Sequence, residues 1–314
     1  MSKTGNIIIT HHSAASYWLH SDLSENYLFA DEQNPLLACS RNSRDLQRFD
    51  IGFPGFGAHP IHLMVDDKRL IRASRRIVTH VSTAELPKGS FVKLRDGLYV
   101  VSPELCLVQM ARYLSDAQLV ELAMNLCASY YIHPFTDKIE RRKYQAAKPA
   151  SLADYANRSS LRGSLKVANC MPLVLSGSRS PVETKLSILL RKVTSRGGEG
   201  FPVHALNHYV GADDRVNIAE QDEFYIDIAY TKQHVGIEYY GEEFHKDSAK
   251  DRRRLNALRA MGWNILTLEK QQLYNADLFG VFSNQLSVCL GVKASRPWDW
   301  EVKNRQLRFE LGLI

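Results

Sequence analysis

No stretch of this sequence approaches the ~18 consecutive apolar residues of a membrane span, so no bilayer-crossing helix is expected. The opening MSKTGNIIITHHSAAS lacks the apolar run of an export signal, which makes the cytoplasm the expected compartment. Cysteines are sparse and poorly placed for chemistry. Cys39, Cys106, Cys127, Cys170 and Cys289 are odd in number, widely spaced and form no C-x-x-C, so reduced thiols are expected rather than disulfides or a Cys-based metal site. The Gly/Pro-rich run FPGFGAHP is not followed by Lys and Ser or Thr at a helix start, which excludes a phosphate loop and leaves turn chemistry.

What is present is ordinary globular material: 314 residues, 45% hydrophobic and 24% charged, enough for two domains that each bury a core. The net charge of +6 permits a polyanionic partner without requiring one, and no separate basic tail carries it.

Residues 7–20 read as a short strand entering a helix, with Thr10 or Ser13 as caps. His11 and His12 suggest a metal, but neighbours on a strand point to opposite faces, so solvent or capping histidines are expected. IHLMVD, IVTHVS, SFVKLR and LYVVS read as strands. The basic segment between the first two, with Lys68, Arg69, Arg72, Arg75 and Arg76, suits either a phosphate grip or a protected sheet edge. Ser102-Pro103-Glu104 and Ser115-Asp116 then start two apolar-faced helices.

Residues 132–150 are polar, charged and Pro-flanked, which predicts a linker between a domain over 1–131 and a second over 151–314. Arg158, Arg162 and Lys166 follow at near-helical spacing, as a phosphate track or a solvent face. GGEGFP and the ALNH segment after it read as a loop opposite the functional site, and 211–221 as a polar hairpin. Trp298, Trp300, Arg305 and Arg308 near the end suit packing across the domain boundary or base stacking.

The stretch with most chemical content is Phe224 to Leu268, which predicts two strands, a loop, a basic helix and a third strand. Strict alternation sets Phe224, Ile226 and Ile228 on one face and Tyr225, Asp227 and Ala229 on the other. If the first two strands form a hairpin, Glu238 lies beside Asp227. Two adjacent carboxylates repel unless a cation separates them, and hard oxygen ligands suit Mg2+ or Mn2+. The plainer reading makes Asp227 a strand-end residue and Glu238 an edge charge. Upstream, Ser180-Pro181-Val182-Glu183 is a helix start in which Glu183 closes a capping box. In the basic helix, Arg252 and Arg253 face water, Asp251 and Arg254 are spaced as an i, i+3 pair, and Gly262 ends the helix.

A helix with an early Glu, a strand with Asp, a strand carrying Glu238-Tyr239-Tyr240-Gly241, then His245, Asp251, Arg254, Leu258 and Gly262 resembles the PD-(D/E)XK nuclease superfamily. Within it the chain looks most like domains related to the very-short-patch repair endonuclease. The resemblance covers about half of the chain. It implies a mixed sheet flanked by helices, an α/β fold preceded by a smaller α+β domain. It further implies that Glu183, Asp227 and Glu238 hold Mg2+ or Mn2+, that His245 or Tyr240 orients the attacking water, and that the activity is metal-dependent DNA endonuclease chemistry in phage defence or repair. Arg252, Arg253, Arg254, Lys246, Arg72, Arg75 and Arg76 are the expected nucleic-acid contacts. One position departs from the pattern: Tyr240 stands where the superfamily usually has Lys, and a neutral phenol stabilises phosphorane charge poorly. Lys232 and Lys246 are the candidates to replace it.

The N-terminal half, with ITHHSAAS, IHLMV and DGLYVVSPELCLVQMARYL, resembles part of AbiEi-type antitoxin and abortive-infection regulators, which implies a partner protein in a defence or toxin–antitoxin system. The winged helix that such regulators use on operators is not seen here. The rival to the nuclease expectation is therefore a catalytically inactive nucleic-acid-binding or antitoxin-like regulator, for which Tyr240 is the best support.

Overall fold

The computed structural model describes residues 5–23, 28–29, 34–39, 60–71, 75–212, 223–241, 248–293 and 295–314. The chain divides into two units, Met1–Val174 and Leu175–Ile314. The fold is mixed α/β with mixed sheets flanked by helices, as the sequence predicts. Among the described residues no helix is long and apolar enough to cross a membrane.

The first unit comprises β1 (Ile7–Ile9), α1 (His11–His20), β2 (Leu28–Phe29), β3 (Ile61–Val65), β4 (Ile77–Val81), β5 (Phe91–Arg95), β6 (Leu98–Val101), α2 (Pro103–Met110), α3 (Asp116–Leu126), β7 (Tyr130–Ile132), β8 (Ile139–Arg141), α4 (Pro149–Arg158) and α5 (Ser164–Cys170). Six of these strands form one sheet, ordered β2-β5-β6-β1-β3-β4. All three isoleucines of central β1 are fully buried, as a continuous apolar strand covered on both faces must be. Ser102 caps α2 by accepting from Leu105 N at 3.2 Å, and Ser115 with Gln118 forms a full capping box on α3.

The predicted boundary is wrong. Residues 132–150 are not a linker, because their backbone groups are tied into the first unit. β7 and β8 pair as a hairpin, Ala147 N donates to Leu126 O at 3.0 Å, and buried Arg142 donates from Nη2 to Trp18 O at 2.6 Å. Helices α4 and α5 pack on α2 and α3, so 151–174 belong with the first unit, which is the larger of the two rather than the smaller. Lys166 Nζ binds Ala111 O at 3.2 Å and Leu114 O at 2.6 Å, and Arg158 pairs with Asp154 at 2.8 Å, so these two cations of the basic stripe serve the unit's own helices, while Arg162 is exposed.

The second unit comprises α6 (Pro181–Arg191), β9 (Ala205–Gly211), β10 (Glu223–Tyr230), β11 (Val235–Tyr240), α7 (Ser248–Ala260), β12 (Asn264–Glu269), α8 (Lys270–Tyr274), α9 (Ala276–Leu290) and α10 (Trp300–Glu310). Its sheet is ordered β12-β11-β10-β9; β9, β10 and β11 are antiparallel in turn, and β12 lies parallel to β11 after the α7 crossover. The ALNH segment is the start of β9, not a loop opposite the site. Most of the expected 211–221 hairpin lies outside the described residues.

The face toward α7 buries Phe224, Ile226 and Ala229 with Ala257, Leu258, Met261, Trp263 and Ile265. Ala229 shares that cluster with Ile226, three residues away, so strict alternation fails between them. Gly236, paired with Ala229, is part of the same close packing: a Cβ there would lie 2.6 Å from Ile265 Cδ1 and 2.8 Å from Ile226 Cγ2. At the chain end, Trp300 Nε1 donates to Gly198 O and Arg308 Nη1 to Leu273 O, each at 2.8 Å. These aromatic and basic groups pack within the second unit, and Trp298 is exposed.

Candidate functional site

Three elements of the second unit bring the three predicted acidic residues into one electrostatic cluster. The first is α6. Ser180 caps it, accepting from Glu183 N at 3.2 Å and donating from Oγ to Glu183 Oε1 at 3.0 Å. Glu183 Oε2 accepts from Arg179 N at 2.8 Å and Asn207 Nδ2 at 2.6 Å. The capping reading is thus correct as far as it goes, but the carboxylate is buried and held from three sides.

Asn207 is a residue to which the sequence reading gave no role. It sits within β9 at φ +48, in the left-handed region that Asn tolerates better than most residues. The ladder between β9 and β10 pairs Ile226 with His208 and Ile228 with Leu206, so Asn207 lies across from Asp227. Its Nδ2 also donates to Gly177 O at 3.0 Å, locking the amide between the α6 entry and the sheet.

Asp227 comes from β10 and Glu238 from β11. The hairpin register runs as far as Ile228 with Ile237, the residues that adjoin Asp227 and Glu238. There the backbone pattern gives way to the side chain: Tyr239 N donates to Asp227 Oδ2 at 2.9 Å. Glu238 is buried, and Arg254 of α7 places Nη2 2.9 and 2.8 Å from its two oxygens and 2.6 Å from Tyr225 O. Arg254 therefore serves Glu238 rather than Asp251 or an exposed nucleic-acid surface.

Burial, then the Asp227 charge, pushes Glu183 up to about 7 and Glu238 up to about 8, the latter against the pull of Arg254. Asp227 is raised by burial, opposed by the Tyr239 N–H and by the charges of Arg254 and Arg179. Arg179 lies over the Tyr225 ring at 4.1 Å, which fixes a second cation near the cluster. The cluster thus gathers more carboxylate than its own cations neutralise, and its oxygen donors are those a small hard cation takes. As the side chains stand, no three His, Cys, Asp or Glu groups among the described residues surround one ion position, and Glu238 is turned to Arg254.

The remaining predicted residues scatter. Tyr240 is half-buried, paired in register with Glu269, and its phenol is raised first by burial and then by Glu238, so it stands beside the carboxylates as a neutral hydroxyl. Lys232 is exposed in the turn between β10 and β11, and Glu238 lies three strand steps beyond the end of that turn, roughly 10 Å along β11. His245, Lys246 and Arg72 lie outside the described residues. Arg252 and Arg253 are exposed on α7, and Arg75 and Arg76 are exposed at the start of β4 in the first unit.

The histidines expected to diverge do not. His11 opens α1 at φ +48, and both its ring and that of His12 meet His62 of β3 and, for His11, His80 of β4. Burial, then the neighbouring imidazoles, lowers His11 to about 3 and His80 to about 4. Divergence fails because a helix start, not a strand, carries the pair, while His12 is exposed, as the solvent reading expects.

Comparison of the chain with protein-family models, with curated proteins and with solved structures finds no match.

Proposed function

We propose that the second unit hydrolyses DNA phosphodiesters with a divalent cation, Mg2+ or Mn2+, held by Glu183, Asp227 and Glu238. The observation that carries this reading is the gathering of these three carboxylates, from a helix and two strands, into one buried cluster. A fold gains no stability from burying like charges together, so the arrangement calls for a cation beyond Arg254 and Arg179. The order helix with Glu183, strand with Asp227, strand with Glu238 and helix with Arg254 supports it too, since it is the order that the resemblance to the PD-(D/E)XK nucleases implies.

A bound cation would supply phosphate polarisation and a water of lowered pKa. The chain's own residues do the positioning. Asn207 and the Arg179 N–H hold Glu183, the Tyr239 N–H aims Asp227, and Arg254 holds Glu238 until the cation competes for it. Tyr240 offers a neutral hydroxyl to orient water. Exposed Arg252 and Arg253 would meet the DNA backbone, in the cytoplasm where the substrate is. The first unit would dock a partner protein of a defence or toxin–antitoxin system.

A second reading has its own observation. With both oxygens of Glu238 on Arg254 and Tyr240 in place of a Lys, the same fold serves as a catalytically silent nucleic-acid binder. Titration of Mg2+ and Mn2+ by calorimetry, with cleavage of supercoiled plasmid, separates the two on wild type and Asp227→Asn. Binding and nicking in the wild type, both lost in the variant, are expected. A wild type that neither binds the ions nor nicks overturns the nuclease reading in favour of the silent binder.

A further inference from the structure

The first unit carries a separate cluster outside the acidic site, to which neither resemblance gives a role. His12 at the start of α1, His62 on β3 and His80 on β4 gather three imidazoles, and His11 adds a fourth ring. Their backbones are pinned. Thr10 N donates to His62 O and His62 N to Ser13 Oγ, both at 3.0 Å, while β3 and β4 pair in parallel with Met64 opposite His80. His11 is fixed as well: Thr10 Oγ1 donates to Gln109 Oε1 at 2.8 Å and lies 3.0 Å from His11 Nδ1. With its proton given to Gln109, the Thr10 hydroxyl accepts from His11 Nδ1.

We propose that His12, His62 and His80 bind a borderline divalent transition-metal ion of the Zn2+ class. Spacing ties His62 to each of the other two. Imidazoles bound to one tetrahedral ion through bonds of about 2.0–2.1 Å hold their ring centroids roughly 5 Å apart. The His62–His80 centroids are 4.9 Å apart and the His12–His62 centroids 5.0 Å. His11 does not fit: it stacks on His80 at 3.6 Å and stands 6.5 Å from His62, so it is a positioning ring.

As the side chains stand the three rings do not surround one ion position, but one pair of nitrogens already meets. His62 Nδ1 and His80 Nε2 are 2.7 Å apart and share one proton at the point where an ion would sit. Two ligand nitrogens on a tetrahedral ion lie about 3.3 Å apart, so insertion opens this pair by a small ring rotation and draws in the more exposed His12. All the donors are imidazole nitrogens, a set that suits zinc, copper or nickel and not Mg2+ or Ca2+. Burial shifts all three imidazoles toward the neutral form that ligates. Three protein ligands leave the fourth position for water or an exogenous ligand, with the Tyr113 ring 5.0 Å from that of His12 at the rim.

The test uses the full untagged chain, stripped with a chelator. Zn2+ is titrated by calorimetry, and Co2+ replaces it for visible absorption. All arms are run in the Asp227→Asn background, which removes the acidic site and so separates the two. One equivalent of Zn2+, an intense tetrahedral Co2+ band, and at least about a tenfold loss of affinity on adding His62→Gln or His80→Gln are expected there, and adding His133→Gln should leave the titration unchanged. Melting curves of the metal-free variants check that they fold. If the His62 and His80 variants do not, the Co2+ spectrum of Asp227→Asn alone decides. A weak octahedral band, absence of binding at tens of micromolar free Zn2+, or folded His62 and His80 variants that bind like Asp227→Asn alone would each overturn the assignment.

Discussion

Arg254 Nη2 stands 2.9 and 2.8 Å from the two carboxylate oxygens of Glu238 and 2.6 Å from Tyr225 O, so one guanidinium nitrogen ties α7 to two strands of the sheet. The Glu238 side chain is only 5% exposed and that of Arg254 21%, which makes this a largely desolvated pair. Removing one partner of such a pair leaves the other charge buried and costs roughly 3–5 kcal/mol. Above about pH 8, where Glu238 is ionised, Arg254→Met should therefore lower the unfolding free energy of the second unit by that order, and adding Glu238→Gln should recover much of the loss. Denaturation curves of the two variants check this. Equal losses in both would show that Arg254 acts through packing alone.

The acidic cluster sets a pH dependence of unusual sign. Glu183 and Glu238 have folded-state pKa values raised to about 7 and about 8, above the ordinary 4.5. Between the ordinary and the raised values the folded state holds protons that the unfolded state has released. Without a cation, their contribution to stability therefore falls as pH rises from about 4.5 through the raised values. A bound cation replaces those protons, so Mg2+ should raise the melting temperature more at about pH 8 than at about pH 5.5. Thermal melts with chelator and with Mg2+ at the two pH values read this directly, and equal increments would sink it.

His204 works in the opposite direction. It is buried, its Nε2 lies 2.8 Å from Ser187 Oγ, and burial followed by the Arg191 charge lowers it to about 3. The unfolded state takes up a proton near pH 6.5 that the folded state refuses. Stability from the neutral ring is complete above that pH and is lost as pH falls toward about 3. His204→Gln should flatten the acid limb of the stability profile while lowering stability at neutral pH. An unchanged acid limb in urea titrations across this window would show that other groups set it.

The legible parts of the site were those set by local spacing. Ser180, Pro181 and Glu183 announce a helix start within four residues, and period two in a hairpin places Glu238 beside Asp227. The rest depended on contacts between residues distant in sequence. Arg254 looked like a partner for Asp251 three residues away, but its partner is sixteen residues upstream. His11 and His12 looked divergent because a strand was assumed where a helix begins, and nothing local points to His62 and His80. The polar segment 132–150 looked like a linker because composition does not show that its backbone groups bond to Leu126 and Ser129. Strict alternation misplaced Ala229 because the strand departs from regular pairing at Asp227, opposite a left-handed Asn207.

That position yields a last prediction. Asn207 contributes two separable things: a backbone that tolerates φ +48 and an amide that donates to Glu183 Oε2 at 2.6 Å and Gly177 O at 3.0 Å. Asn207→Gly keeps the first and loses the second; Asn207→Ala loses the second and strains the first by about 1 kcal/mol or more. Both variants leave Glu183 with fewer donors, so both should raise its pKa further and weaken divalent-cation binding to a similar degree. Only the alanine variant should add a further loss of stability. Denaturation and cation titration on the two variants distinguish the contributions. If glycine and alanine prove equally stable, the left-handed turn at 207 is not what holds the amide in the site. If cation binding survives both, Glu183 needs no help from Asn207.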